Sequence, residues 1–186
     1  MSQISSLRRD GKEGGAGAVL WKYVAPRKTM AGRLKQELRL KRPFRNAQQE
    51  AFLNIMRTAD ALEHEVEMLL KLFGVTSVQY NVLRILHSVG EAGRTCSDIG
   101  RRMVERHPDI TRLLDRMEHA GLIRRRRDGR DRRTVTAQIT LAGSVIVQQL
   151  EQPLSTLHQK QFAALSDAQV YEMIEGMEKI RFRDVA

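Results

Sequence analysis

Two runs of residues decide the fold: Asp109-Ile110-Thr111-Arg112-Leu113-Leu114-Asp115-Arg116-Met117, then Gly121-Leu122-Ile123-Arg124-Arg125-Arg126-Arg127-Asp128-Gly129. Ile110, Leu113, Leu114 and Met117 recur at three- and four-residue steps, the spacing that lines one face of a helix. Pro108 suits the first turn of that helix, where its missing N–H costs nothing, and Gly121 terminates it. The outward positions are then Asp109, Thr111, Arg112, Asp115, Arg116 and Glu118. After Gly121 the period becomes alternating. Asp128-Gly129 is a hairpin-turn signal, and Val135, Ala137 and Ile139 alternate with Thr134, Thr136 and Gln138, as in a strand with one face on a core. A helix with a polar, basic outer face, followed at once by a basic hairpin, is a way of presenting side chains to a DNA groove.

The flanking sequence supports that reading. Thr95 with Asp98 caps a shorter helix carrying Ile99 and Met103 inward, which stops before His107 and Pro108, so the two helices form a helix-turn-helix. Upstream, Thr76 and Gln79 form a capping box for a helix running to about Val89, with Tyr80, Val82, Leu83, Ile85 and Leu86 giving it two apolar faces. Earlier still, Phe52, Ile55, Met56, Ala59, Leu62, Val66, Leu69, Leu70 and Phe73 stripe a long helix between Asn46 and Gly74. Downstream, Thr140 caps a helix through Val145, Ile146, Leu150, Leu154 and Leu157, in which Pro153 predicts a kink or a break. Ser166 and Gln169 cap a last helix striped by Val170, Met173, Ile174, Met177 and Ile180.

These terminal helices carry more apolar surface than a small winged domain covers alone, so a homodimer is expected. The fold class expected is mainly α with a small β-wing: a winged helix-turn-helix with N- and C-terminal dimerisation helices. Its DNA-binding core spans about 76–140, its dimerisation helices about 46–73 and 141–182.

Charge narrows the partners. The 186 residues carry a formal +10, which points to a polyanion, nucleic acid or an anionic membrane surface; composition alone does not choose. Residues 1–45 hold twelve Lys and Arg against three Asp and Glu, with Gly11, Gly14, Gly15 and Gly17 among them. That segment reads as a basic, flexible extension in which a short amphipathic helix between Ala31 and Leu40 can form. Residues 105–133 hold ten basic side chains against six acidic ones inside strongly patterned sequence, and so read as a folded basic surface. No apolar run approaches the ~18 residues of a spanning helix, and no secretory signal opens the chain, so a cytoplasmic location is expected. A single cysteine, Cys96, leaves no disulfide framework and no thiolate set for zinc, and no cofactor is expected.

The order of helices and hairpin resembles the MarR (multiple-antibiotic-resistance) family of transcriptional regulators. The resemblance rests on Asp109 to Met117, on Gly121 to Arg125, and on Asp131-Arg132-Arg133 followed by Gln138-Ile139-Thr140-Leu141-Ala142-Gly143, and it covers about Asn46 to Arg181. It implies a triangular homodimer held by its first and last helices, with recognition helices in successive major grooves of a pseudo-palindromic operator. It also implies that a small, often aromatic molecule bound between the dimer and DNA-binding regions weakens the grip on DNA. The first 45 residues depart from the family in length and charge, and a start upstream of the native one, with Met30 as the alternative, would account for part of them.

The candidate DNA-contacting residues are Arg106, Asp109, Thr111, Arg112, Arg116, Arg126, Arg127, Arg130, Arg132 and Arg133. Arg112 and Arg116 can instead pair with Asp109, Asp115 or Glu118, and Asp131 is expected to orient a neighbouring Arg. Candidate effector-pocket residues are Met56, His64, Tyr80, Arg84 and His87, though core packing explains Met56 and Tyr80 equally well. Cys96 reads as a small buried hydrophobe, with a redox switch as the alternative. Two other functions stay open: a protein-interaction module on a winged fold, and a non-specific architectural DNA binder. An enzyme has little support, since no glycine-rich phosphate loop, metal-ligand cluster or nucleophile motif is present.

Overall fold

Side-chain caps set where the helices begin. In the computed structural model, which describes residues 32–104, 109–127 and 135–182, the chain forms α1 (Arg33–Glu37), α2 (Ala47–Lys71), α3 (Ser77–His87) and a 3-10 turn (Gly90–Ala92). There follow β1 (Arg94–Thr95), α4 (Cys96–Arg102), α5 (Ile110–His119), β2 (Ile123–Arg127), β3 (Val135–Ile139), α6 (Leu141–Phe162) and α7 (Asp167–Arg181). The capping boxes at Thr76 with Gln79 and at Ser166 with Gln169 are both formed. Thr95, Asp109 and Thr140 each accept a backbone N–H three residues on, satisfying a donor that a helix start leaves without an intrahelical partner.

The chain divides into two units after Asn54. In the first, Leu34 of α1 is buried, and the Gly32 N–H donates to Glu50 Oε1 at 3.2 Å. The expected flexible extension thus ends in a folded turn of helix, and residues 1–31 lie outside the described residues. In the second unit, Leu70, Leu83, Leu86, Ile99, Met117, Ile123 and Leu150 are fully buried in one cluster drawn from α2 through α6 and β2. Each such side chain contributes about 1.5–3 kcal/mol of transfer free energy. The N-terminal half of α6 packs on α3 through buried Gly143, Val147 and Leu150, so that part of the expected dimerisation region belongs to the core of the winged domain.

The sheet has three antiparallel strands in the order β1-β3-β2. Two-residue β1, absent from the sequence reading, pairs Arg94 with Ala137 and Thr95 with Thr136. It pairs with the free edge of β3. Ala137 is buried as expected, but Gln138, read as outward, is 5% exposed while Val135 is exposed. The Gln138 side chain accepts from Arg124 Nε at 3.0 Å and donates to the Glu91 carbonyl, so both ends of its amide are satisfied. Pro153 does not break α6, which continues to Phe162.

Two glycines fix how α5 hands over to the strand and to α6. Gly121, at φ 71°, follows the last turn of α5, and Leu122 N–H closes onto Met117 O at 3.0 Å, an ending in which the left-handed residue favours glycine. Gly143 lies in the first turn of α6 against the Leu122 carbonyl, closer than a Cβ permits.

Candidate nucleic-acid interface

The buried face of α5 is Leu113, Leu114 and Met117, so Thr111, Arg112 and Arg116 are turned to solvent together. Asp109 is the N-cap: its Oδ1 accepts the Arg112 N–H at 3.1 Å, and its Oδ2 lies 3.1 Å from Arg112 Nε. One carboxylate therefore starts the helix and steers the guanidinium of its first turn. Arg112 nonetheless keeps 84% of its side chain exposed. Asp109, Arg112, Asp115 and Arg116 rim a shallow recess on this face. Arg116 makes no ion pair among the described residues.

The arginines of β2 divide by their partners. Arg124, though exposed, donates to Gln138, and Arg126 is exposed. Arg125 retains 25% exposure because it lies across α5: Nη1 is 2.7 Å from Asp115 Oδ1, Nε 3.7 Å from Glu118 Oε2, and Nη2 donates to the Thr111 carbonyl at 3.1 Å. Its backbone N–H also donates to Glu118 Oε1 at 2.8 Å. Asp115 and Glu118, which face outward in the sequence reading, thereby hold the wing strand rather than repelling a polyanion. Arg127 closes β2. Arg106, Arg130, Arg132 and Arg133, with Pro108, the Asp128-Gly129 turn and Asp131, lie outside the described residues.

One cluster escaped the sequence reading. Asp98 on α4 is surrounded by Arg94 at 3.0 Å, Arg102 at 3.2 Å and Arg101 at 3.5 Å. Desolvation would raise its carboxyl pKa, but the hydrogen bond from Arg102 and the charges of Arg102, Arg94 and Arg101 outweigh it and hold the group below the usual carboxylate value. Three cations on one anion leave α4 positively charged. The sequence carries the signal in its spacing, with arginines four before and three and four after Asp98. Cys96, read as buried, is half-buried at the start of α4, with Sγ 3.7 Å from Thr111 Oγ1.

A second recess of about 430 Å³ lies between α2, α3, the end of α4 and α6. Its apolar walls include Leu62, Val66 and Leu70, its other side Tyr80 and Arg84, and its far end His158 and Phe162. Burial pushes the Tyr80 hydroxyl pKa up, with Arg84 opposing and Glu151 adding to the rise, so the phenol stays protonated. Of the expected pocket residues, Tyr80 and Arg84 line the recess; Met56, His64 and His87 do not. His64 stands two residues from Leu62, about 200° round the helix. Met56 lies 56% exposed, and His87 faces Ser144, with Nδ1 3.2 Å from Oγ. The Ser77 hydroxyl, which sequence reasoning passed over, is buried beside the recess without a partner among the described residues.

The fold is matched in known proteins. A family profile described as the MarR family covers residues 73–134. A solved MarR transcription factor from Planctomyces limnophilus is 36% identical, with a TM-score of 0.56, over 73% of this chain and 98% of that one. The chain belongs to the MarR family. It is accordingly a winged helix-turn-helix, DNA-binding regulator of transcription, and the family is one of regulators rather than enzymes. A relative named HTH-type transcriptional repressor IacR, from Pseudomonas putida, is 26% identical over 129 residues, 69% of this chain and 76% of its own length. A MarR variant from Escherichia coli solved with operator DNA shares the fold at 21% identity and TM-score 0.67, over 75% of this chain and 99% of that one.

Proposed function

We propose that this MarR-family chain is a homodimeric repressor that reads a pseudo-palindromic operator with α5, grips the flanking backbone with its wing and α4, and is released by a small aromatic effector. The observation that carries the DNA-reading assignment is the sorting of charge on α5 and β2. Thr111, Arg112 and Arg116 are exposed on one face, while the acidic residues beside them are occupied by Arg125 and Arg112. What is left to meet DNA is a hydroxyl and two guanidiniums, groups suited to base edges and phosphates. A protein-interaction module would have no use for this arrangement. Asp109 acts on DNA through Arg112, whose direction it sets.

The dimer is supported by apolar side chains left exposed on the terminal helices, among them Met68 on α2 and Tyr171, Ile174 and Ile180 on α7. The effector reading rests on the recess beside α3 and α4, whose apolar walls suit a ring, with Tyr80, Arg84 and Ser77 to fix its polar groups. The Escherichia coli relative's operator complex and the repressor name of the Pseudomonas relative support operator binding and repression. Among the described residues no helix is long and apolar enough to cross a membrane, and a cytoplasmic site of action fits a regulator.

Selection of bound fragments from a random duplex library tests the reading. An enriched inverted repeat, with half-sites about one helical turn of 10–10.5 base pairs apart, is expected. Recovery of unselected sequence at undiminished affinity would contradict it and favour the architectural binder.

A further inference from the structure

Half of the twelve basic residues that precede α2 stand in one folded segment that the function above leaves unused. Between positions 33 and 45 stand Arg33, Lys35, Arg39, Lys41, Arg42 and Arg45, against the single carboxylate of Glu37. Arg39, Lys41, Arg42 and Arg45 are exposed and make no ion pair among the described residues. A charge run of this kind is ordinarily a solvated tail. Here it is held in shape: Leu34 is buried, Gly32 N–H donates to Glu50 Oε1, and Arg45 N–H donates to Gln49 Oε1 at 2.8 Å at the start of α2.

The end of α1 adds an independent observation. Arg39 N–H closes onto Gln36 O and Leu40 N–H onto Lys35 O, each at 3.0 Å, the two-bond helix ending whose left-handed position is ordinarily glycine. Arg39 occupies it at φ 50°, the one non-glycine residue with positive φ among the described residues. A positive φ at a non-glycine residue persists only where the surrounding structure fixes it, and such positions cluster at binding sites. An exposed guanidinium fixed beside Lys41, Arg42 and Arg45 is a device for anions in a row.

We propose that residues 33–45 form a second, sequence-independent contact with the phosphate backbone of duplex DNA. The proposal rests on duplex binding by the winged core. A polyanion with regularly spaced charges fits four cations in seven residues, and guanidiniums take phosphate oxygens two at a time. A membrane surface fits less well, because an interfacial helix needs a long apolar face free to enter lipid, and α1 has five residues with Leu34 turned inward.

The test uses the full chain, the operator recovered by selection and a scrambled duplex, with affinity measured by fluorescence anisotropy across a salt series. In the triple variant Lys41→Gln, Arg42→Gln, Arg45→Gln the slope of log K against log salt should become shallower, by about 0.9 for each phosphate contact removed. Affinity for both duplexes should fall by the same factor, leaving their ratio unchanged. Arg39→Gly, which relieves the strained position and so cannot act by unfolding, should melt no lower than the parent and also shallow the slope. Unchanged slopes in both variants would overturn the proposal. So would a changed ratio, which would make the segment a reader of bases. Binding of the parent to phosphatidylserine vesicles, lost in the triple variant while the DNA slope stays the same, would overturn it in favour of a membrane surface. A parent that fails to prefer operator over scrambled DNA would instead count against the α5 reading, and the slope comparison would still decide this one.

Discussion

The Arg125 guanidinium of β2 lies 2.7 Å from the Asp115 carboxylate of α5 and donates as well to the Thr111 carbonyl one turn earlier. A single side chain of the wing thus reaches from Thr111 to Glu118 along α5. The wing strand and α5 are thereby held as one piece, and the acidic residues between them are paired with Arg125.

Removing that brace should be felt in both stability and binding. Arg125→Ala loses a charge-assisted pair and a backbone-directed hydrogen bond at a partly exposed site, a cost of about 1–2 kcal/mol. Arg125→Lys should recover little, because a point charge cannot serve carboxylate and carbonyl in the same fork. Chemical denaturation with a double-mutant cycle to Asp115→Ala checks this. Additive effects would show that the pair is not coupled.

Asp98 gives a pH signature. Its carboxyl titrates below the usual value because Arg102, Arg94 and Arg101 outweigh desolvation. A depressed folded pKa contributes stability that is complete above the unfolded value, about 3.9, and is lost as pH falls through the lower folded value. Asp98→Asn should therefore be less stable than the parent between pH 5 and pH 7, with the difference closing in acid below about pH 4. A difference that does not change with pH would assign the effect to packing.

Gly143 tests the handover from α5 to α6. A methyl group there meets the Leu122 carbonyl, with Ile139 and Leu83 behind it, so Gly143→Ala must displace the start of α6. Overpacking of this kind costs about 1–3 kcal/mol. Gly100→Ala, on an open helix face, should be neutral or stabilising by comparison in the same thermal melt.

The oligomer is tested at α7. Ile174→Glu places a charge on a face that is 45% exposed in the single chain, so it should leave the fold of each chain intact while breaking a dimer that buries it. Light scattering should give twice the 21.3 kDa chain mass for the parent and the single mass for the variant. A parent of single mass that still binds operator tightly would refute the dimer.

The sequence displayed the helices clearly because caps and apolar periods are local signals. Thr76 with Gln79 and Ser166 with Gln169 close as read, and the Leu113-Leu114-Met117 face of α5 is buried as its spacing requires. What escaped were features made by distant residues. Two-residue β1 has no pattern of its own and exists because β3 has an edge to fill. Gln138 is buried because Arg124 and Glu91 meet its amide, which no alternation of polar and apolar residues reveals. Asp115 and Glu118 looked like solvent-facing acids until Arg125 was placed across them. Pro153 signalled an interruption, yet α6 remains one helix, its Val147, Leu150 and Leu154 buried on both sides of the proline.

Base reading by α5 and backbone affinity from the wing are separated by measuring, at one salt concentration, the affinity of parent, Thr111→Ala, Arg112→Ala and Arg126→Ala for the operator and for its single-base variants. All three side chains are exposed, and thermal unfolding of each variant verifies that the fold is kept. Thr111→Ala or Arg112→Ala should lose about 1–3 kcal/mol of discrimination at one position per half-site. Arg126→Ala should weaken binding to every duplex alike and preserve their ranking. If folded Thr111→Ala and Arg112→Ala proteins both ranked the variants as the parent does, with undiminished affinity, the assignment of α5 as the reading helix would be wrong.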